Sequence, residues 1–242
     1  MRLTRVYVES PLAAGRSEEI AGSPANHILR VLRLREGDAL TLFDGQGGEY
    51  AARITGIHKD DVEVDVLEHR AIERESPLEI TLVQGVSRGE RMDWVMQKAT
   101  ELGVRRIVPV MTERTVVRLD DKQAERKAAH WRAIAIAACE QCGRNRLPEV
   151  TTPLNLHQTL RGLDPDATRV LLSPSGKQRM RDLPRPAKVT LLIGPEGGLA
   201  DNEDYAAVAA GFQAVQLGPR ILRTETAALA ALAALQHDFG DS

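Results

Sequence analysis

Several things are scarce in this 242-residue chain, and each scarcity removes a class of function. No run of about 18 apolar residues is present to cross a bilayer, and MRLTRVYVES lacks the apolar core and small-residue cleavage site of a secretory signal. The expectation is a cytoplasmic protein with no membrane partner. Cysteine occurs only twice, as Cys139 and Cys142, too few for a disulfide framework. Their CxxC spacing lacks further ligands to complete a zinc site, because the six histidines show no paired spacing. A redox pair sits at a helix start, where the dipole favours thiolate; this pair ends a helical run. Both cysteines are therefore read as structural, and no metal is expected. Aromatic residues make up only 3%, which argues against a stacking platform for single-stranded nucleic acid. The formal net charge of -2 shows no global excess of positive charge, so any polyanion surface must be a local patch.

What remains is a globular composition, 43% apolar and 27% charged, long enough for one large domain or two small ones. From Arg2 to about Arg70 the apolar residues alternate in short stretches, RVYV, DALTLFDG, EYAARITGIH and DVEVDVLEH, as in a small β-barrel. One helix interrupts them in SPANHILRVLRLREGD, with Ser23 as its N-cap and Gly37 as its stop. The polar stretch HRAIERESP then reads as a linker, and the domains expected are 1–72 and 75–242. Beyond it, nearly all-apolar strands such as LEITLVQGV, RRIVPVMT, RVLLS and KVTLLI alternate with helical patterns. That alternation predicts an α/β domain with a parallel sheet covered on both faces.

The stretch LLIGPEGGLADNE raises the question of a ligand, because a glycine turn between a parallel strand and a helix often holds a phosphate. GPEGG matches neither GxGxxG nor GxxxxGK[ST]; Pro195 has no N–H to donate, and Glu196 puts negative charge where a pyrophosphate would lie. A plain turn is the alternative, with Gly and Pro serving only the backbone. A second Gly-Pro turn, LGPRILRTETAA, leaves the next strand at the same kind of edge. Two neighbouring turns of this type make a slot of backbone groups suited to adenine without phosphates.

These two motifs, with QKATELGV and EQCGR, resemble the SPOUT superfamily, specifically the RsmE-type enzymes that methylate ring N3 of a uridine in 16S ribosomal RNA of the small subunit. NHILRVLRLREGD is similar to that family's PUA-like RNA-binding barrel, so the resemblance spans essentially the whole chain. It implies a PUA-like β-barrel followed by a SPOUT α/β domain with a trefoil knot, S-adenosylmethionine as cofactor, and a homodimer. Nothing in composition or periodicity indicates a knot. Carried over by motif, the cofactor slot comprises Leu172 and Ser173, then Gly194, Pro195, Glu196, Gly197 and Gly198, then Leu217, Gly218, Ile221, Leu222, Arg223 and Thr224. Arg223 is the candidate stabiliser of charge on the uracil oxygens or an RNA-phosphate contact, and Glu196 the candidate proton acceptor, with solvent as the alternative. Thr224 also reads as an N-cap for TETAALAALAALQH, with Glu225 in the first turn as a dipole partner.

Arg30, Arg33 and Arg35 form one basic cluster and Arg88 and Arg91 a second, with Arg144 beyond the long helix; these are the candidate RNA contacts. Solvated surface charge is the plainer reading of each cluster. Two other functions stay open at this point: a non-catalytic RNA-binding or ribosome-assembly protein, and a nucleotide-dependent metabolic enzyme.

Overall fold

Alternation does build strands in the first part of the chain. The computed structural model describes residues 4–241; residues 1–3, where the expected barrel begins, and residue 242 lie outside them. Two compact units result, one of residues up to Glu75 together with Ile136–Leu147, the other of Ser76–Ala135 and everything from Pro148 onward.

In the first unit, β1 (Arg5–Tyr7), β2 (Arg16–Ile20), β3 (Ala39–Phe43), β4 (Glu49–His58) and β5 (Asp61–Arg70) form one sheet in the order β1-β3-β4-β5-β2. The β4–β5 hairpin shifts register between Ala51 and Ala52 and again between Ile54 and Gly56, and such bulges sharpen local twist. Leu40, Leu42, Ile54, Val62, Val64 and Val66 all turn to one buried cluster, as a two-residue period requires. β2 is a strand that the pattern does not announce: in RSEEI only Ile20 is buried. Its charges suit the outer edge of the sheet, where they deter pairing with other chains.

The expected helix forms, with different ends. α1 (Gly22–Asn26) starts with Ala21 at the N-cap and no side-chain cap, so Ser23 lies inside the helix. It continues as a wider π-helical turn, His27–Leu32, closed by Arg33 in the left-handed region at φ 57. Arg33 thus performs the stop expected of Gly37; its N–H bonds Ile28 O, satisfying a carbonyl at the helix end. Ala25 and Ile28 pack into the strand cluster.

The segment Ile136–Leu147 completes this unit. Arg5 donates to Arg144 O at 3.1 Å and Asn145 Oδ1 at 2.6 Å, and the Tyr7 N–H donates to Glu140 Oε1 at 3.0 Å. Cys139 packs with Tyr7 and Phe43. Burial pushes its thiol pKa up to about 12, which leaves no nucleophilic thiolate at neutral pH.

The second unit is a parallel sheet. β6 (Glu79–Gly85), β7 (Arg106–Met111), β8 (Glu149–Val150), β10 (Thr168–Leu172), β11 (Gln178–Arg179), β12 (Lys188–Ile193) and β13 (Gln213–Gln216) run in the order β11-β13-β10-β12-β6-β7-β8, and β9 (Leu154–Asn155) also pairs with β7. Adjacent apolar residues of one strand serve opposite faces. Leu82 and Leu191 join Val95 and Met96 of α2 (Glu90–Glu101) and Leu232 of α6 (Thr224–Phe239). Val83 and Leu192 join Leu156 of α4 (Leu156–Arg161) and Ala207 of α5 (Asp201–Ala209). Strands buried on both sides are apolar throughout, which is why their stretches show no alternation. α3 (Asp121–Cys142) begins in this unit and ends in the first. Among the described residues no helix is long and apolar enough to cross a membrane.

Candidate functional site

Strands β13, β10 and β12 lie side by side and parallel, so their C-terminal ends share one edge of the sheet. The two Gly-Pro turns are therefore not on neighbouring strands as expected. The connection from β12 through α5 to β13 passes over β10, whose Leu172–Ser173 end sits between the turns. The slot is three strands wide.

Glycine sets how closely these ends approach. A Cβ on Gly85, at the end of β6, would lie 2.3 Å from Pro195 N, and one on Gly176 would lie 2.6 Å from Val215 C. Within the GPEGG turn, Gly198 sits at φ +69 and its N–H bonds Pro195 O at 2.9 Å. A buried network ties the turn to α6: Gln84 Nε2 donates to Thr224 Oγ1 at 2.9 Å, and that hydroxyl donates to Gly194 O at 2.7 Å. Thr224 is accordingly not the expected N-cap. It is the first helical residue, Arg223 holds the cap position without a side-chain bond, and the hydroxyl serves the turn instead.

These ends enclose a cavity of about 660 Å³, within the size range of small-molecule sites. Every residue expected in the slot lines it except Gly197: Leu172, Ser173, Gly194, Pro195, Glu196, Gly198, Leu217, Gly218, Ile221, Leu222, Arg223 and Thr224. Gly197 faces Arg114, whose Cβ would lie 3.1 Å from an added methyl and whose guanidinium donates to Gly197 O. Leu171, Ile193 and Leu199 add apolar surface. The charged lining is balanced, with Arg91, Arg114, Arg220 and Arg223 against Glu196, Asp201, Asp204 and Glu225. That set has no surplus cation for a polyphosphate and suits a ligand carrying both signs.

Glu196 is committed to the protein. Its carboxylate accepts from the Arg88 N–H and from Arg91, each at 2.9 Å. Burial works to raise its pKa, but these donors and its own amide together hold it below the ordinary carboxylate value. A carboxylate so held is a weak proton acceptor. Arg223 is exposed and has no ion pair among the described residues, leaving its guanidinium available to a substrate oxygen.

The expected RNA contacts separate by environment. Arg30, Arg33 and Arg35 are exposed in the first unit; Arg30 bonds Asn26 and lies 3.5 Å from Asp60. Arg88 is exposed in the second unit, whereas Arg91 lines the cavity and pairs with Glu196. Arg144 is 4% exposed and forks onto Glu75, so it holds the first unit together and presents no surface for RNA. Residues that sequence reasoning missed are Gln84, Arg114, Asp201 and Asp204. Of these only Gln84 carries a signal, as a polar residue inside an apolar strand.

An RNA methyltransferase domain model matches residues 74–236, and an RNA methyltransferase PUA domain model matches residues 20–67. The ribosomal RNA small subunit methyltransferase E of Buchnera aphidicola is 35% identical over 241 residues, covering 99% of this chain and 98% of the relative. The Bacillus subtilis protein of that name is 35% identical, covering 90% and 89%. A solved Neisseria gonorrhoeae ribosomal RNA small subunit methyltransferase E with S-adenosylmethionine bound superimposes with a TM-score of 0.92 at 41% identity, covering 99% of each chain. A Legionella pneumophila protein solved in complex with the cofactor S-adenosylmethionine gives 0.96 at 42%, covering 100% of both.

Proposed function

The chain belongs to the RNA methyltransferase family with a PUA domain, and from that membership we propose the reaction it carries out. It is an S-adenosylmethionine-dependent methyltransferase of 16S ribosomal RNA, acting in the cytoplasm on the RNA or the small subunit, and the atom methylated is N3 of a uridine. The observation that carries this reading is the cavity at the ends of β10, β12 and β13. Its apolar, backbone-lined part fits an adenosyl group, and its balanced charges fit the amino-acid end. An oxygen of Glu225 is buried there without a hydrogen-bond partner among the described residues, which fits a cationic ligand.

The donor supplies an already activated methyl group. The chain's residues have the remaining tasks. Gly194 to Glu196 and Gly198, with Leu217, Gly218 and Arg220 to Thr224, hold the donor in one orientation, the condition for in-line transfer. Loss of the N3 proton spreads negative charge onto the flanking uracil oxygens, and Arg223 is placed to stabilise it. Glu196 positions Arg91 and the Arg88 backbone at the cavity edge, and solvent takes the proton.

In this reading residues 1–72 are the PUA-like RNA-binding part and 75–242 the catalytic part. The latter is threaded as a trefoil knot and works as a homodimer. Exposed Trp94 on α2 and the small side chains of α6 support a subunit contact, since alanines let another backbone come close. The test is methyl transfer from labelled donor to small-subunit particles and to naked rRNA, with mass spectrometry of the modified nucleoside. N3-methyluridine is expected. Label on a carbon or a ribose oxygen overturns the atom assignment, and no transfer from a donor that binds favours a passive RNA-binding role.

A further inference from the structure

The four carboxylates of the cavity are not equivalent. Glu196 accepts two hydrogen bonds on its Oε1, from the Arg88 N–H and from Arg91. Asp201 is exposed and 3.8 Å from Arg114. Asp204 is held above the ordinary carboxylate range by burial and by the charge of Asp201, so it carries negative charge less readily. Glu225, in the first turn of α6, differs from all three. Its Oε2 is buried with no hydrogen-bond partner among the described residues, and its Oε1 makes only a long ion pair with Arg91 Nε, at 4.0 Å and without a hydrogen bond.

Stripping a carboxylate oxygen of water without giving it a donor costs free energy, and a bound positive charge offsets that cost. A sulfonium suits such an oxygen particularly well. It has no N–H to donate, so charge and dipole contacts must replace its hydration, and a carboxylate oxygen is the strongest of these. In the donor this charge lies at the middle of the molecule, between the adenosyl and amino-acid ends. Glu225 lines the cavity together with Asp201 and Asp204, and of these three carboxylates it alone has an oxygen buried without a hydrogen-bond partner among the described residues.

We infer that Glu225 is the counter-charge to the sulfonium of the methyl donor, and that it lets the cavity distinguish the charged donor from its neutral demethylated product. When the methyl passes to N3, the S–CH3 electron pair stays on sulfur, the positive charge disappears, and the uridine proton leaves to solvent. Glu225 then faces an uncharged thioether, so product is held less tightly than donor.

The inference rests on the donor assignment above and is separable from it by calorimetry on the full chain with S-adenosylmethionine and S-adenosylhomocysteine. Glu225→Gln should weaken the first by about tenfold or more and the second by less than about twofold, because only the first carries the charge. Retained binding of S-adenosylhomocysteine also shows that the variant is folded. Glu225→Asp, which keeps the charge, should keep the preference for the donor. Equal weakening of both ligands by Glu225→Gln, or no weakening of either, overturns the inference. Wild-type protein that binds neither ligand overturns the donor assignment itself.

Discussion

At the end of β6, Gly85 leaves room for the turn at Pro195 to pass at backbone contact. An added methyl would stand 2.3 Å from Pro195 N and 2.7 Å from Gly194 C, and neither neighbour is a flexible side-chain end. Gly85→Ala should therefore displace the GPEGG turn, costing about 1–3 kcal/mol of stability and at least about tenfold in S-adenosylmethionine affinity. Thermal unfolding and calorimetry check this, and unchanged donor affinity contradicts the role given to the turn. Single residues show where sequence reading succeeds and fails. The Gly-Pro motifs were legible because glycine and proline restrict the backbone whatever surrounds them. Arg144 was not: its partner Glu75 is 69 positions away, and nothing local distinguishes a buried arginine from a solvated one. Thr224 has the composition of a cap, yet its hydroxyl finds Gly194 O, 30 positions distant.

Among the elements, β4 begins with an ion-pair triad that is buried at Arg5 and Glu49 and half-exposed at Arg74. Glu49 pairs with Arg5 and with Arg74, the latter at 3.2 Å, and the Arg5 and Glu49 side chains are nearly inaccessible. Burial alone would raise the Glu49 pKa; the hydrogen bonds and charges of Arg74 and Arg5 bring it below the ordinary value of 4.5. A carboxylate lowered on folding adds stability above its unfolded pKa and loses it as pH falls through the folded value. Denaturation measured against pH should therefore show an acid-side loss of stability that begins near pH 4.5 and continues below it. In Glu49→Gln that component should vanish, with a neutral-pH cost of about 3–5 kcal/mol from the buried charge of Arg5 left without its carboxylate. An unchanged acid slope in the variant contradicts the triad's role. The basic turn after α1 makes a second test. Arg33 and Arg35 have no side-chain partner among the described residues, so charge reversal of both costs the first unit little. Filter binding should then show weaker rRNA affinity and a salt slope reduced by about 1–2, with donor affinity unchanged. Unaltered RNA affinity contradicts an RNA role for this turn. Long strands and helices were legible here because period and length agree. β2 was not, because an edge strand buries one residue, and α4, only six residues long, has too short a period to read although Asn155 and Gln158 form a capping box.

For the molecule as a whole, a near-neutral formal charge of -2 conceals a division of labour. Basic residues that remain exposed in the first unit suit a phosphate backbone, while the cavity of the second balances its own charges. The change from alternating to continuous apolar stretches marks the α/β character of the second part in the sequence itself, since each kind of sheet sets its own burial pattern. Strand order was not legible. Placing β10 between β12 and β13 depends on crossovers that no local signal encodes. Diffraction from crystals grown with S-adenosylmethionine tests the central claim most directly. Density for the donor is expected between Leu172–Ser173, the Gly194–Glu196 turn and Leu217–Thr224, with its sulfur facing Glu225. Donor density at any other place on the chain, or those three segments left empty at saturating ligand, would contradict it.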